Sequence, residues 1–252
     1  MRAVITYHSI DPSASAISIS ETEFRRHVDW LASGRVPVVS LETLVAGDPG
    51  SDAIALTFDD AFQNFGTIAM ELLRDHGLPA TLFVVTDRVG GTNAWEPGAG
   101  VGSLPVLPLL DWGGIAAVAE GGITIGSHGR THRHLPVLEQ AELDDEVSGS
   151  LDDFRRELGL LPTAFCYAYG DVTERERSAA ARAYRVAVTT ELRPLDDDED
   201  AFMVPRLDAY YLRRSGRLES FGTPAFDRYL RFRRGGRSLR TGVVRLMGRG
   251  NE

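Results

Sequence analysis

No lysine occurs in these 252 residues, so all 27 basic side chains are arginines. That excludes Schiff-base chemistry on a lysine amine and a Walker-type phosphate loop, which needs a lysine to reach the nucleotide phosphates. There is a single cysteine, Cys166, so no disulfide can form within the chain and oxidative folding is not needed. Cys166 also lies in an apolar run without the sequence context of a cysteine hydrolase, which argues against a nucleophilic thiol. Long hydrophobic runs are missing too: none approaches the ~18 apolar residues of a membrane span, and Met1 leads straight into a strand-like segment without a signal-type apolar region. A cytoplasmic location is expected.

Charge is present but unevenly placed. The net charge is −9, yet after Leu212 eleven arginines face only Glu219, Asp227 and Glu252, a local +8 on a body of −17. We therefore divide the chain into a folded domain, 1–212, and a basic tail, 213–252, partly helical or disordered. The tail intersperses Phe232, Val243, Val244, Leu246 and Met247 among its arginines, which fits peripheral contact with an anionic membrane. A strongly acidic body with no recognition motif argues against nucleic acid as a partner.

Along the chain, strand-like and helix-like stretches alternate. Strands are predicted over 2–7, 36–39 (weakened by Pro37), 53–58, 79–85, 123–127, 163–167, 185–188 and 202–206. Helices are predicted from a Ser20 N-cap onward and over 65–76, 112–120, 139–158 and 173–183. A Gly- and Pro-rich loop, 90–108, contains Trp95 and is long enough to be functional. This order is that of parallel βα units, and about seven of them give an α/β fold, a distorted (β/α) barrel. In such a barrel chemistry collects where strands end, and His8, Asp59, Asp60, His128 and Tyr169 all lie just after predicted strands.

Two of these strand ends carry the chemistry. Thr57-Phe58-Asp59-Asp60 closes the apolar run from Ala53, and two adjacent carboxylates leaving water repel unless something neutralises them. Neighbouring side chains on a strand face opposite ways, so both acids can serve one site only where the strand breaks into a loop. Further on, Ile123-Thr124-Ile125-Gly126-Ser127 ends in His128-Gly129-Arg130-Thr131-His132, where Ser127 and Thr131 can orient the rings. One carboxylate plus two imidazoles make a divalent-metal site with an open position, leaving the second carboxylate for proton transfer. Taken singly, an acid pair is also a common turn, a His-x-x-x-His a surface pair, and the aromatics around Cys166 a core strand end.

Together, and in this order, the pieces resemble the polysaccharide deacetylase superfamily, carbohydrate esterase family four, and especially its poly-N-acetylglucosamine deacetylase branch. The stretches that carry the resemblance are Ile5-Thr6-Tyr7-His8-Ser9-Ile10, Leu56-Thr57-Phe58-Asp59-Asp60, Gly77-Leu78-Pro79-Ala80-Thr81-Leu82-Phe83-Val84, Ile125-Gly126-Ser127-His128-Gly129-Arg130-Thr131-His132 and Phe165-Cys166-Tyr167-Ala168-Tyr169-Gly170. The resemblance covers roughly residues 2–210 and implies a deacetylase-like catalytic domain over 1–212. It also implies a metal-dependent N-deacetylase that acts on an N-acetylated carbohydrate and releases acetate. In that reading Asp60, His128 and His132 hold the metal, zinc above cobalt, nickel or manganese, and Asp59 is the general base. The Tyr169 N–H is an oxyanion donor and His8 the acid that protonates the leaving amine.

This chain departs from the family pattern at three positions. Ala61 stands where a glycine usually follows the aspartates, Gly129 where Ser or Thr follows the first histidine, and Cys166 where many members have the arginine that orients the base. We assign that orienting task to Arg206 in Val204-Pro205-Arg206-Leu207. The alternatives are a non-catalytic glycan-binding member and a deacylase or amidohydrolase acting on a non-sugar C–N bond.

Overall fold

Strands buried on both faces read as continuous apolar runs, and β1 (Arg2–Tyr7) is buried along its whole length. These elements belong to a computed structural model that describes residues 1–48, 50–95 and 104–235. Two short strands, β2 (Ser9–Ile10) and β3 (Ser18–Ile19), pair beside the end of β1. Helix α1 (Glu21–Ala32) starts on a Ser20–Glu23 capping box, in which each side chain satisfies the other residue's backbone N–H. It buries Phe24, His27, Val28 and Leu31 on one face.

After α2 (Leu41–Ala46) come β4 (Ala53–Phe58), a π-helical turn over Phe65–Ala69 running into α3 (Met70–Asp75), and β5 (Ala80–Val84). Next are α4 (Trp112–Glu120), capped by Asp111, and β6 (Thr124–Ser127). A continuous helix of α5 (Gln140–Asp144), a π turn over Asp145–Gly149 and α6 (Ser150–Leu158) follows, ended by left-handed Gly159. Then come β7 (Ala164–Cys166), α7 (Glu174–Ala183), β8 (Val186–Val188) and β9 (Arg206–Asp208).

Seven strands form one parallel sheet in the order β8-β7-β6-β5-β4-β1-β9. Its edges meet where Val188 bridges Val204, with the Thr189 N–H donating to the Val204 carbonyl at 2.8 Å, so the sheet nearly closes into a barrel. Val4, Ala55, Phe83, Cys166, Val188 and Val204 pack together between the strands. Gly126 makes room for the Phe83 ring, which a Cβ there would approach to 2.5 Å. The opposite strand faces, including Ile5, Leu56 and Leu82, pack with Phe24 and Val28 of α1.

Two predicted strands come out differently, both because proline lacks the N–H a ladder needs. Of 36–39, only a Val38–Ile54 bridge forms. The last strand begins at Arg206 rather than ending there, after Pro205. The core also runs on past Leu212: Leu218, Phe226 and Leu230 belong to it, and 224–235 is helical. Phe232 on that helix is exposed, while the tail's Val243, Val244, Leu246 and Met247 lie outside the described residues. No helix among the described residues is long and apolar enough to cross a membrane.

His27 is fully enclosed between the Tyr7 hydroxyl, 3.1 Å from Nδ1, and the Leu212 carbonyl, 3.0 Å from Nε2. One neutral tautomer satisfies both, donating to Leu212 and accepting from Tyr7. Burial, aided by Arg26, pushes its pKa down to about 4. Between an unfolded value near 6.5 and that folded value only the unfolded chain takes up the proton, so stability falls as pH drops through this window, by about 3 kcal/mol at most. Urea unfolding from pH 7 to 4.5 checks this: His27→Gln should flatten the dependence, and an unchanged slope would rule His27 out as its source.

Candidate functional site

The acid pair sits where β4 turns. Asp60 (φ 71) and Ala61 (φ 55) both take the left-handed backbone, which breaks the strand's alternation and lets both carboxylates line one cleft of about 320 Å³. Asp59 is 3% and Asp60 5% exposed. Ala61, in the family's glycine position, thus carries its Cβ in a conformation that glycine adopts more cheaply.

Both histidines are aimed at Asp60. His128 follows β6, and its Nδ1 bonds the Cys166 carbonyl at 2.8 Å, which fixes the ring and its tautomer. Its Nε2 lies 3.5 Å from Asp60 Oδ1, and His132 Nε2 lies 3.6 Å from the same oxygen. That oxygen is buried and accepts no hydrogen bond. An orphaned carboxylate oxygen between two imidazole nitrogens is the donor set of a divalent cation, and the ligand atoms of Asp60, His128 and His132 lie within 4.8 Å of one another. Burial, reinforced by His128, holds the His132 pKa far below its ordinary value and keeps the ring neutral, as a metal ligand must be.

Asp59 is held differently. Arg206, 1% exposed, grips it with two bonds, Nη1 to Oδ1 at 2.7 Å and Nη2 to Oδ2 at 2.8 Å. The same guanidinium donates to Thr6 Oγ1 at 2.9 Å, to the Thr189 carbonyl at 2.8 Å and to Cys166 Sγ at 3.1 Å. Burial disfavours the Asp59 anion, but Arg206, with His8 and His128, overrides it and holds the carboxyl well below the usual range. At Asp60 burial wins and the pKa rises. Environment thus separates the two acids.

The remaining residues line the same cleft. His8 Nε2 is 3.6 Å from Asp59 Oδ2. Tyr169 is at the mouth in a left-handed conformation (φ 60), its ring stacked on His134 at 3.8 Å and edge-on to His132 at 4.7 Å. Trp95, from the 90–108 loop whose residues 96–103 lie outside the described residues, stacks on His132 at 4.4 Å.

Ser127 and Thr131 do not orient the rings as expected. Ser127 Oγ accepts from the Gly129 N–H at 3.1 Å, and the Thr131 hydroxyl donates to Glu146 at 2.8 Å. A short hydroxyl spends its reach on the nearest backbone or acid. Glu146 and the His134–Asp171 pair, 2.8 Å apart, are not singled out by the sequence, because acids on an amphipathic helix and a histidine one turn past a motif look like ordinary surface groups.

A nearly closed parallel barrel with an acid pair and two histidines at its strand ends has the architecture of the barrel deacetylases. Residues 46–187 match the polysaccharide deacetylase family, and the chain belongs to it. It is similar to the Bacillus subtilis protein YxkH, 24% identical over 210 residues, 81% of this chain and 70% of that one. It is also similar to the poly-beta-1,6-N-acetyl-D-glucosamine N-deacetylase of Staphylococcus epidermidis, 23% identical over 75% of this chain and 67% of that one. Among solved structures, the Streptococcus pyogenes deacetylase PplD in complex with acetate shares the fold, with a TM-score of 0.69 at 19% identity, over 82% of this chain and 91% of that one.

Proposed function

We propose that this chain is a metal-dependent hydrolase that removes N-acetyl groups from an amino sugar, in a polymer, an oligomer or a sugar-linked intermediate. The observation that carries the reading is the buried, unsatisfied Asp60 oxygen facing two imidazole nitrogens beside a second, arginine-clamped acid. Support comes from the family itself and from the Staphylococcus epidermidis relative, which acts on N-acetylglucosamine units. Acetate, bound by the Streptococcus pyogenes neighbour, is the acid this reaction releases.

Asp60, His128 and His132 would hold the cation, with zinc the first expectation and cobalt, nickel or manganese compatible with the same donors. When bound, it supplies Lewis acidity and a more acidic water. Asp59, kept ionised by Arg206, accepts a proton from the attacking water as a C–O bond forms. His8, which lines the same cleft beside Asp59, gives a proton to the sugar nitrogen as the C–N bond breaks, leaving a free amine and acetate. The Tyr169 N–H is the candidate backbone donor to the developing oxyanion.

The test is acetate release from N-acetylglucosamine oligomers. Release that needs added Zn²⁺ or Co²⁺ and stops with a chelator is expected, falling at least about 100-fold on metal removal. Glycan binding that survives chelation with no product from any N-acetyl compound would point to the non-catalytic alternative.

A further inference from the structure

Glu146 is a buried acid, 4% exposed, with no part in the proton transfers above. It sits in the π turn Asp145–Gly149, a local widening of the kind often found at functional sites. Its carboxylate is spent on one target, the backbone that carries His132. Oε1 accepts from the Thr131 N–H at 2.7 Å and the His132 N–H at 3.0 Å, and Oε2 accepts from the Thr131 hydroxyl at 2.8 Å. His132 needs this support because its backbone is left-handed (φ 64), a conformation unfavourable for a residue that carries a side chain.

Gly129 is the other half of the arrangement. A Cβ there would come within 2.7 Å of Glu146 Oε1, and its φ of +79 also favours glycine. A side chain at 129 would have to displace the end of the Glu146 carboxylate. Arg130 ties the same loop to a point further along the helix, its Nε donating to buried Asp153 at 3.0 Å, but it is Glu146 that accepts from the His132 N–H.

We propose that Glu146 is a positioning residue that holds His132 in its ligating pose and thereby sets the affinity of the site for its cation, with Gly129 as the gap that admits it. The inference rests on the reading of Asp60, His128 and His132 as a cation site.

The experiment titrates the metal-free full-length chain with Zn²⁺ and Co²⁺ by calorimetry, and records the cobalt absorption bands. Glu146→Ala is expected to weaken binding about 10–100-fold and to alter the cobalt bands. Glu146→Gln keeps an oxygen for both N–H groups and should stay within about threefold of the parent, because the role is geometric rather than one of charge. Glu146→Asp, a milder change, should fall between them if Glu146→Ala does not fold. Gly129→Ala crowds the carboxylate and also strains a left-handed backbone, so it should weaken binding in its own right. Unchanged affinity in folded Glu146→Ala or Glu146→Asp, or equal losses in Glu146→Gln and Glu146→Ala, would overturn the inference. Failure of the parent chain to bind either metal would instead bring down the cation site itself.

Discussion

Asp59→Asn should lower acetate release by about 10²–10⁴-fold, the usual contribution of a positioned general base, while cation affinity stays within a few-fold of the parent. The separation follows from the geometry: Asp60, not Asp59, shares its oxygen with both imidazoles, at 3.5 and 3.6 Å. Asparagine keeps the shape and can still accept from Arg206, but it cannot take a proton from water. Steady-state acetate release combined with a cobalt titration checks both halves. Near-normal turnover would remove Asp59 from the proton path, and a parallel loss of metal would make it a ligand.

Arg206→Ala should have the largest effect on stability and a distinct effect on pH dependence. Arg206 and Asp59 are 1% and 3% exposed, and breaking a buried pair by removing one partner costs about 3–5 kcal/mol, because the other charge is left uncompensated. In the intact protein Arg206 overcomes the burial that would otherwise raise the Asp59 pKa. A carboxyl depressed in this way stabilises the fold above its unfolded pKa, and that stability is lost as pH falls. Without Arg206 burial dominates and Asp59 binds its proton more readily. The acid limb of the activity profile should therefore move to higher pH. The double variant Asp59→Asn, Arg206→Ala should recover part of the stability, since no buried charge is left alone. A single variant with full turnover and an unmoved acid limb would contradict the assignment.

The site's parts were not equally legible in the sequence. Asp59, Asp60, His128 and His132 stand out because each pair is contiguous or nearly so at the end of an apolar strand, where local pattern and chemistry coincide. Arg206 could be nominated because Cys166 left an arginine's place empty, and the structure does bring it onto Asp59 at 2.7 Å. Glu146 could not, because its neighbours Glu142, Asp144 and Asp145 look the same in sequence, and only the three-dimensional fold turns one of the four onto the His132 peptide. For the fold, the strands β1, β4 and β5 declare themselves by segments of five or six residues that are mostly apolar and β-branched or aromatic. The pieces around Pro37 and Pro205 do not, since their pairing depends on what the rest of the sheet leaves available. The short helix α2 and the β2–β3 pair, at six and two residues per element, are too brief for a period to register.

Arg206 also has a place in the architecture apart from proton chemistry. Its side chain joins β1 through Thr6, the end of β4 through Asp59 and the end of β8 through the Thr189 carbonyl, next to the Val188–Val204 bridge at which the barrel nearly closes. The counter-ion of Asp59 is therefore also a crossbar over the seam where the two edges of the sheet meet. A change at Arg206 therefore alters the acidity of Asp59 and the closure of the wall together.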